Sequence, residues 1–233
     1  VVLLVRPAFV EPLVPTEFAV IHEDAAVLVV DKPPGLPVHP SASYHKSTLT
    51  YLLRQRYPDQ TPHLAHRLDR ETSGVLVCAK TLEDERALKM QFERRTTEKS
   101  YLAIVRGRVE ADEGEVDLPM RRPDEGLHLL MEVADDGAPA RTGYRVEARA
   151  PNHTLLALFP RTGRQHQLRV HAAAIGHPIV GDKLYGPEGT APFFDYVDQK
   201  GMTPELAERL GHERHALHAH RLEHVGHDLG ADG

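Results

Sequence analysis

The sequence predicts an α+β fold on a mixed, largely antiparallel sheet with flanking helices, and three observations carry that prediction. Short apolar runs separated by turn residues recur along the chain, as strands joined by tight links do. Helical periodicity interrupts them only occasionally and without a strict strand–helix–strand rhythm, which argues against a doubly wound parallel sheet. Finally, 233 residues with 41% apolar and 27% charged content can bury one large core without a disulfide or metal staple.

Taken in order, Phe18–His22 and Ala26–Asp31 read as a strand pair turning at Glu23 and Asp24. Lys32-Pro33-Pro34-Gly35-Leu36-Pro37 is neither helix nor central strand, because its prolines fix φ and lack donors; it reads as a rigid turn. Thr48–Tyr57 places Leu49, Leu52 and Leu53 at helical spacing behind a Ser47 or Thr48 cap. Gly74–Ala79 is a continuous apolar run, hence a buried strand. Thr81–Arg95 follows as a helix with a Thr81/Asp84 capping box and an apolar stripe of Leu82, Leu88 and Phe92. Tyr101–Val105, Gly143–Ala148 and Thr154–Phe159 are strands, with looser pieces at Val116–Leu118 and Leu127–Val133. Gln165–Ile175 is a helix with Leu168, Ala172 and Ile175 on one side, Ile179–Asp182 a short strand or turn, Glu205–Leu210 a helix, and Ala216–Leu222 a final strand.

Net charge is −6, which argues against indiscriminate coating of nucleic acid. The charge is nevertheless segregated. Arg54–Arg108 carries 12 basic and 8 acidic residues, whereas Glu110–Asp136 holds 10 acids against Arg121 and Arg122 and is expected at the periphery. Arg161–His171 contains three arginines, two histidines and no acid, so a polyanion should meet the first and third segments. Cys78 has no partner for an internal disulfide, Val1–Val5 is too short for a signal-peptide core, and no apolar run reaches membrane-spanning length. A cytoplasmic protein without membrane contact is expected.

Two segments concentrate chemistry. In His66-Arg67-Leu68-Asp69-Arg70-Glu71-Thr72-Ser73-Gly74, Asp69 lies between two arginines. A carboxylate beside guanidinium groups stays ionised, which suits a nucleophile better than a general acid, although a loop-capping or salt-bridging aspartate reads the same way. In Arg161-Thr162-Gly163-Arg164-Gln165-His166-Gln167-Leu168-Arg169-Val170-His171, a helix opening after Gly163 would offer free N–H groups beside arginines, an anion site, and would point His166 and Arg169 the same way.

The stretches "HRLDRETSGVLVCAK" and "RTGRQHQLRVHAAAIGHPIVGDKLYG" resemble the signatures of the RluA-type pseudouridine synthase family. The likeness continues at Val29–Ser41, Glu98–Gly107 and "ALHAHRLEHVGHD", and covers roughly residues 18–228. It implies an active-site cleft and isomerisation of uridine to pseudouridine in structured RNA, ribosomal rather than transfer RNA, by a monomer with no cofactor or metal. Asp69 falls on the family's nucleophile, attacking ribose C1′ or uracil C6. Tyr101, behind Lys99, should lie against the uracil and assist proton removal from C5. Arg169 should hold Asp69, through a fork of two hydrogen bonds, and Arg67 should enter the RNA stack where the base has left. Arg161 and Arg164 are expected on the phosphate-binding face. Relatives often carry an N-terminal RNA-binding module; Val1–Pro15 resembles its tail, so residues 1–16 are read as linker or remnant and 17–233 as the catalytic domain. Gly226–Gly233 stands where relatives continue through one more strand.

The rival readings are an RNA-binding protein without catalysis and a zinc site. His212, His215, His218 and His220 have suitable intervals for a metal, as do His63 and His66. Strand alternation would however send His215 to the face opposite His218 and His220, and incidental histidines are the better account.

Overall fold

The computed structural model describes residues 10–41 and 43–224; Val1–Val5 and Gly226–Gly233 lie outside them. Strands β1 (Ala19–Glu23) and β2 (Val27–Lys32) form the expected hairpin, with Asp24 Oδ1 accepting from the N–H groups of Ala26 and Val27. Helix α1 (Leu49–Arg56) is capped by Thr48 and buries Leu49 and Leu53, each contributing roughly 1.5–3 kcal/mol by leaving water. After β3 (His63–Leu64) comes the buried β4 (Ser73–Ala79), then α2 (Leu82–Arg94), opened by the Thr81/Asp84 exchange the sequence foretells. The remaining elements are β5 (Thr97–Arg106), β6 (Glu113–Asp117), β7 (Met120–Arg121), β8 (Glu132–Val133), β9 (Arg141–Arg149), β10 (His153–Pro160), α3 (Gln167–Ala174), α4 (Ala191–Asp198), α5 (Pro204–Leu210) and β11 (Leu217–His224).

Among the described residues the main sheet runs β1-β2-β4-β11-β5-β10-β9-β6, with β3 added beside β4 and β7-β8 a separate small ribbon. Every pairing in the main sheet is antiparallel except β4 with β11. At that junction Gly74, at φ +109°, lies so close to β11 that a Cβ would sit 2.1 Å from the Ala219 carbonyl oxygen. Only glycine fits there. Two cores flank this seam: Leu28, Val30, Leu49, Leu53 and Leu76 under α1, and Val105, Leu156, Leu158, Leu168 and Ile179 under α3. The site lies where the two meet.

Four readings of the sequence need correction. Leu82 is 58% exposed; it opens α2 on the solvent side, and the stripe is carried by Leu88 and Phe92 packed on Ala65, Val77 and Ala79. The helix expected from Gln165 begins at Gln167, because His166 takes a left-handed backbone at φ +54°. Leu127–Val133 contributes only β8 as strand. Helix α4, with Pro192 in its first turn, was not foreseen. Residues 10–16 have no regular structure, yet Glu11 accepts from the N–H groups of Lys46 and Ser47 and Val14 packs on the first core.

Candidate active site

The loop between β3 and β4 is fixed residue by residue. His66 Nε2 accepts from the Val77 N–H at 3.0 Å, and burial, with Lys99 nearby, pushes its pKa down to about 4. Leu68 enters the first core. Arg70 turns away to the Tyr44 hydroxyl at 2.7 Å and to Glu71. Glu71 is gripped by Lys183 at 2.9 and 3.0 Å, while Thr72 and Ser73 pair with His215 and His218. From below, the buried Lys32 donates at 2.9 Å to the carbonyls of Pro33, Leu36 and Arg70, although burial pushes its pKa down to about 7. The proline turn is therefore tied to the loop by one ammonium. What remains unengaged is Arg67, exposed and without hydrogen bond or ion pair among the described residues, and one oxygen of Asp69.

The opposing wall comes from the chain between β10 and α3. Gln167 organises it: its side chain meets the hydroxyls of Thr162 and Thr142, the Arg164 N–H and the Arg141 carbonyl, all at 2.7–3.0 Å. From α3, Arg169 reaches across 100 residues of sequence to Asp69, its Nη1 donating to Oδ2 at 3.2 Å. The expected fork exists, but it faces the other way. Nε and Nη2 donate to Asp182 at 2.7 and 2.8 Å, and Asp182 is fully buried and also accepts from the N–H groups of Leu184 and Tyr185. The reason is spatial: a planar fork matches one carboxylate, and Asp182 lies alongside Nε while Asp69 lies beyond Nη1. At the N-terminus of α3 the N–H groups of Gln167 and Arg169 are taken by the carbonyls of Arg164 and His166, which narrows the anion site the sequence suggested to the Leu168 N–H and the side chains around it.

Burial alone would raise the pKa of Asp69, but Arg169, then His166 and His215, outweigh it and hold the carboxyl below its usual range. Asp182 is lowered in the same way by Arg169, against its own burial. Tyr101, in mid-sheet opposite Leu158 on one side and Ala219 on the other, has its phenol pushed up by burial and by Asp69, so it is protonated at neutral pH. Lys99 is lowered by burial, with its ammonium 5.8 Å from the Phe92 ring.

All six residues singled out from the sequence (Arg67, Asp69, Tyr101, Arg161, Arg164 and Arg169) line one open cleft of about 1250 Å³. That exceeds the roughly 300–1,000 Å³ of a pocket for a drug-sized molecule. Arg161 and Arg164 are exposed at its mouth, and Arg67 stands on the rim between it and a smaller groove of about 540 Å³. Sequence reasoning missed Asp182, Gln167 and the Glu71–Lys183–His215 cluster; the signal available was "GDKLYG", an acid directly after the apolar Ile179-Val180-Gly181. Two histidines of the rival zinc pattern are engaged with Thr72 and Ser73, and among the described residues no three metal-capable side chains converge.

Solved structures share this architecture. "Human RNA Pseudouridylate Synthase Domain Containing 1" matches with a TM-score of 0.70 and 27% identity over 93% of this chain and 84% of that one. "Human RNA Pseudouridylate Synthase Domain Containing 4" matches at 0.66 and 28%, over 87% and 82%. The fold and its cleft thus define the class of pseudouridylate synthase domains. Residues 26–174 match the family model described as RNA pseudouridylate synthase. The "Dual-specificity RNA pseudouridine synthase RluA" of Vibrio parahaemolyticus is 40% identical over 77% of this chain and 73% of its own length. The chain belongs to the RNA pseudouridylate synthase family, in its RluA-type branch. The "Ribosomal large subunit pseudouridine synthase D" of Xanthomonas campestris is 44% identical over 88% of this chain. The chain spans 60% of that relative's length and 57% of its Nitrosomonas europaea counterpart.

Proposed function

We propose that this chain is an RNA pseudouridine synthase acting on structured RNA, ribosomal rather than transfer RNA, with Asp69 as nucleophile. The observation that carries the reading is the state of Asp69: ionised, held through Oδ2 by Arg169, and with Oδ1 accepting no hydrogen bond from the described residues. Oδ1 is the attacking oxygen, at ribose C1′ or uracil C6. By either route a bond from Oδ1 forms, the N1–C1′ bond breaks, the uracil turns, C5–C1′ forms, the bond to Oδ1 breaks to restore the carboxylate, a proton leaves C5 and one is taken up at N1. The nucleotide's composition is unchanged.

A base stacked in folded RNA must first leave its helix, at a cost of a few kcal/mol. Arg67, cationic, planar and unpaired on the rim, would fill the gap left behind. Tyr101 offers an aromatic face for the flipped base and enters as a neutral phenol, so its part is stacking and hydrogen bonding until the C5 proton is ready to leave. Arg161 and Arg164 would take backbone phosphates at the mouth. Ribosomal RNA is favoured by the names of the synthase D relatives. We read residues 17–233 as the catalytic domain of a cytoplasmic monomer, with 1–16 as its lead-in; among the described residues no helix is long and apolar enough to cross a membrane.

The test uses RNA tritiated at uridine C5. The wild-type chain should release tritium in proportion to pseudouridine formed, without free uracil or strand cleavage and in excess EDTA. Asp69→Asn keeps the shape but removes the anion, so release should vanish while RNA binds within about tenfold. Free uracil as main product would mean glycosylase chemistry, and binding without release by the wild type would leave an RNA-binding protein.

A further inference from the structure

His166 is the one residue of the cleft whose backbone and side chain are both out of the ordinary. It holds φ +54° immediately before α3, a conformation that costs a residue with a Cβ and tends to persist where function uses it. Its side chain is only 7% exposed. Nδ1 lies 2.7 Å from the Tyr185 hydroxyl, and that hydroxyl accepts the Met131 N–H at 3.0 Å.

Those two contacts, together with the Asp69 carboxylate on the other side of the ring, place the imidazole proton. A phenol has one hydrogen, and among the described residues His166 Nδ1 is the only acceptor it meets. If Nδ1 carried the imidazole proton, the Tyr185 hydrogen would have no acceptor and a bare Nε2 lone pair would face the Asp69 carboxylate; with Nδ1 bare, the Tyr185 hydrogen is accepted and Nε2 turns a proton towards that anion. The ring therefore carries its proton on Nε2, the partner of one nitrogen setting the state of the other. Burial, and then Arg169, push the imidazole pKa down to about 4, so the ring is neutral at physiological pH. Nε2 faces Asp69 Oδ2 at 3.9 Å, too far for a hydrogen bond, and meets no acceptor among the described residues. The side chain is buried, yet its Nε2–H opens on the cleft beside the nucleophile with no protein acceptor among the described residues, free to meet a substrate.

We propose that His166 donates Nε2–H to a carbonyl oxygen of the flipped uracil. This role rests on the function proposed above. Uracil carries two carbonyl acceptors, and negative charge grows on them as its bond to ribose breaks. A donor held in advance, too weak a base to be protonated itself, stabilises that charge without a proton changing hands. A phosphate is the poorer occupant, since it would place an anion beside the Asp69 carboxylate.

The experiment compares single-turnover tritium release from in vitro transcribed large-subunit ribosomal RNA for wild type, His166→Phe, His166→Gln and Tyr185→Phe, with folding checked by circular dichroism. His166→Phe should lose roughly 10- to 100-fold in rate, with RNA affinity within about threefold. His166→Gln, which restores an amide donor near Nε2, should recover most of it. Tyr185→Phe keeps the ring beside Arg169 but frees the imidazole; nitrogen-15 spectra should show pure Nε2–H His166 in the wild type and a mixture in this variant, with an intermediate rate. In RNA made with 2-thiouridine or 4-thiouridine, whose sulfur accepts poorly, the gap between wild type and His166→Phe should close for one of the two. A Phe variant as fast as wild type, a Gln variant as slow as Phe, an Nδ1–H tautomer in the wild type, or a gap unchanged in both thio-RNAs would overturn the proposal. Absence of release by the wild type would overturn the function itself, and the wild-type control reads that before any variant is compared.

Discussion

Arg169→Lys is the substitution whose consequences the structure changes most. With Asp69 as the sole partner, as the sequence suggests, the variant should fold normally and lose turnover. The structure adds a second carboxylate. Arg169 is 7% exposed, forked onto the fully buried Asp182 and joined by one further bond to Asp69. An ammonium is a point charge and cannot serve both. If it stays with Asp182 it keeps one of two charge-assisted bonds, and the loss of the other costs about 1.5–3 kcal/mol. The guanidinium also lies 5.0 Å from the centre of the Tyr185 ring, a contact that contributes about 0.5–2 kcal/mol where water is excluded. About 3 kcal/mol of stability is the expected loss. The chain has no Trp, so urea unfolding is followed by circular dichroism. With a slope near 2–3 kcal/mol/M the midpoint should fall by about 1–1.5 M. Turnover should fall roughly 100-fold or more, because Asp69 loses the group that positions it. An unchanged midpoint would refute the assignment of the fork to folding, and near wild-type turnover would show that Arg169 acts on Asp69 as a distant charge alone.

Stability should also fall with acid earlier than the carboxylates alone would dictate. His66, His166 and His215 are pushed down to about 4, each chiefly by burial, from about 6.5 in the unfolded chain. A depressed histidine pKa means that the unfolded state binds the proton first, so this stability is whole above about pH 6.5 and drains away towards pH 4. With three protons the slope is at most about 4 kcal/mol per pH unit, and urea midpoints that stay flat from pH 7 to 5 would show that the buried rings are already charged in the fold. Replacing Arg161 and Arg164 together with Ala should weaken all RNAs alike and reduce the log–log salt slope by roughly 1.4–1.8, at about 0.7–0.9 per phosphate contact. A loss confined to one RNA sequence would remove both from the phosphate-binding face.

What the sequence made legible follows from the range of the interactions involved. Local signals held: the Thr48 and Thr81 caps, the Asp24 turn and the apolar run of β4 lie where their residues put them, because each is decided within a few positions. The six cleft residues were also within reach, through the resemblance of their motifs to the RluA-type family. Hidden from it were the partners supplied by folding. Nothing near Arg169 in sequence says that its fork belongs to Asp182, or that Lys32 caps the carbonyl of Arg70, 38 positions away. The start of α3 slipped for a related reason: the local pattern does not show that His166 is tied to Tyr185, 19 positions away, and stands left-handed before the helix.

Charge in the interior gives the arrangement its logic. Burying an ion costs several kcal/mol unless its hydrogen-bonding groups find partners. Around the Asp69 loop nearly all do: Lys32 meets three carbonyls, Lys183 meets Glu71 and the Glu213 carbonyl, and Arg169 spans two carboxylates. Each of these contacts also removes a degree of freedom from the backbone that presents Asp69. Arg67, Asp69 Oδ1, the Tyr101 hydroxyl and His166 Nε2 have no hydrogen-bond partner among the described residues, and all four belong to residues lining the same cleft. Unmet hydrogen-bonding capacity thus stands where a flipped nucleotide would lie. The satisfied ions hold the unsatisfied groups in place, which is why mutating Asp182 or Glu71, though neither lines the cleft, should disturb chemistry there.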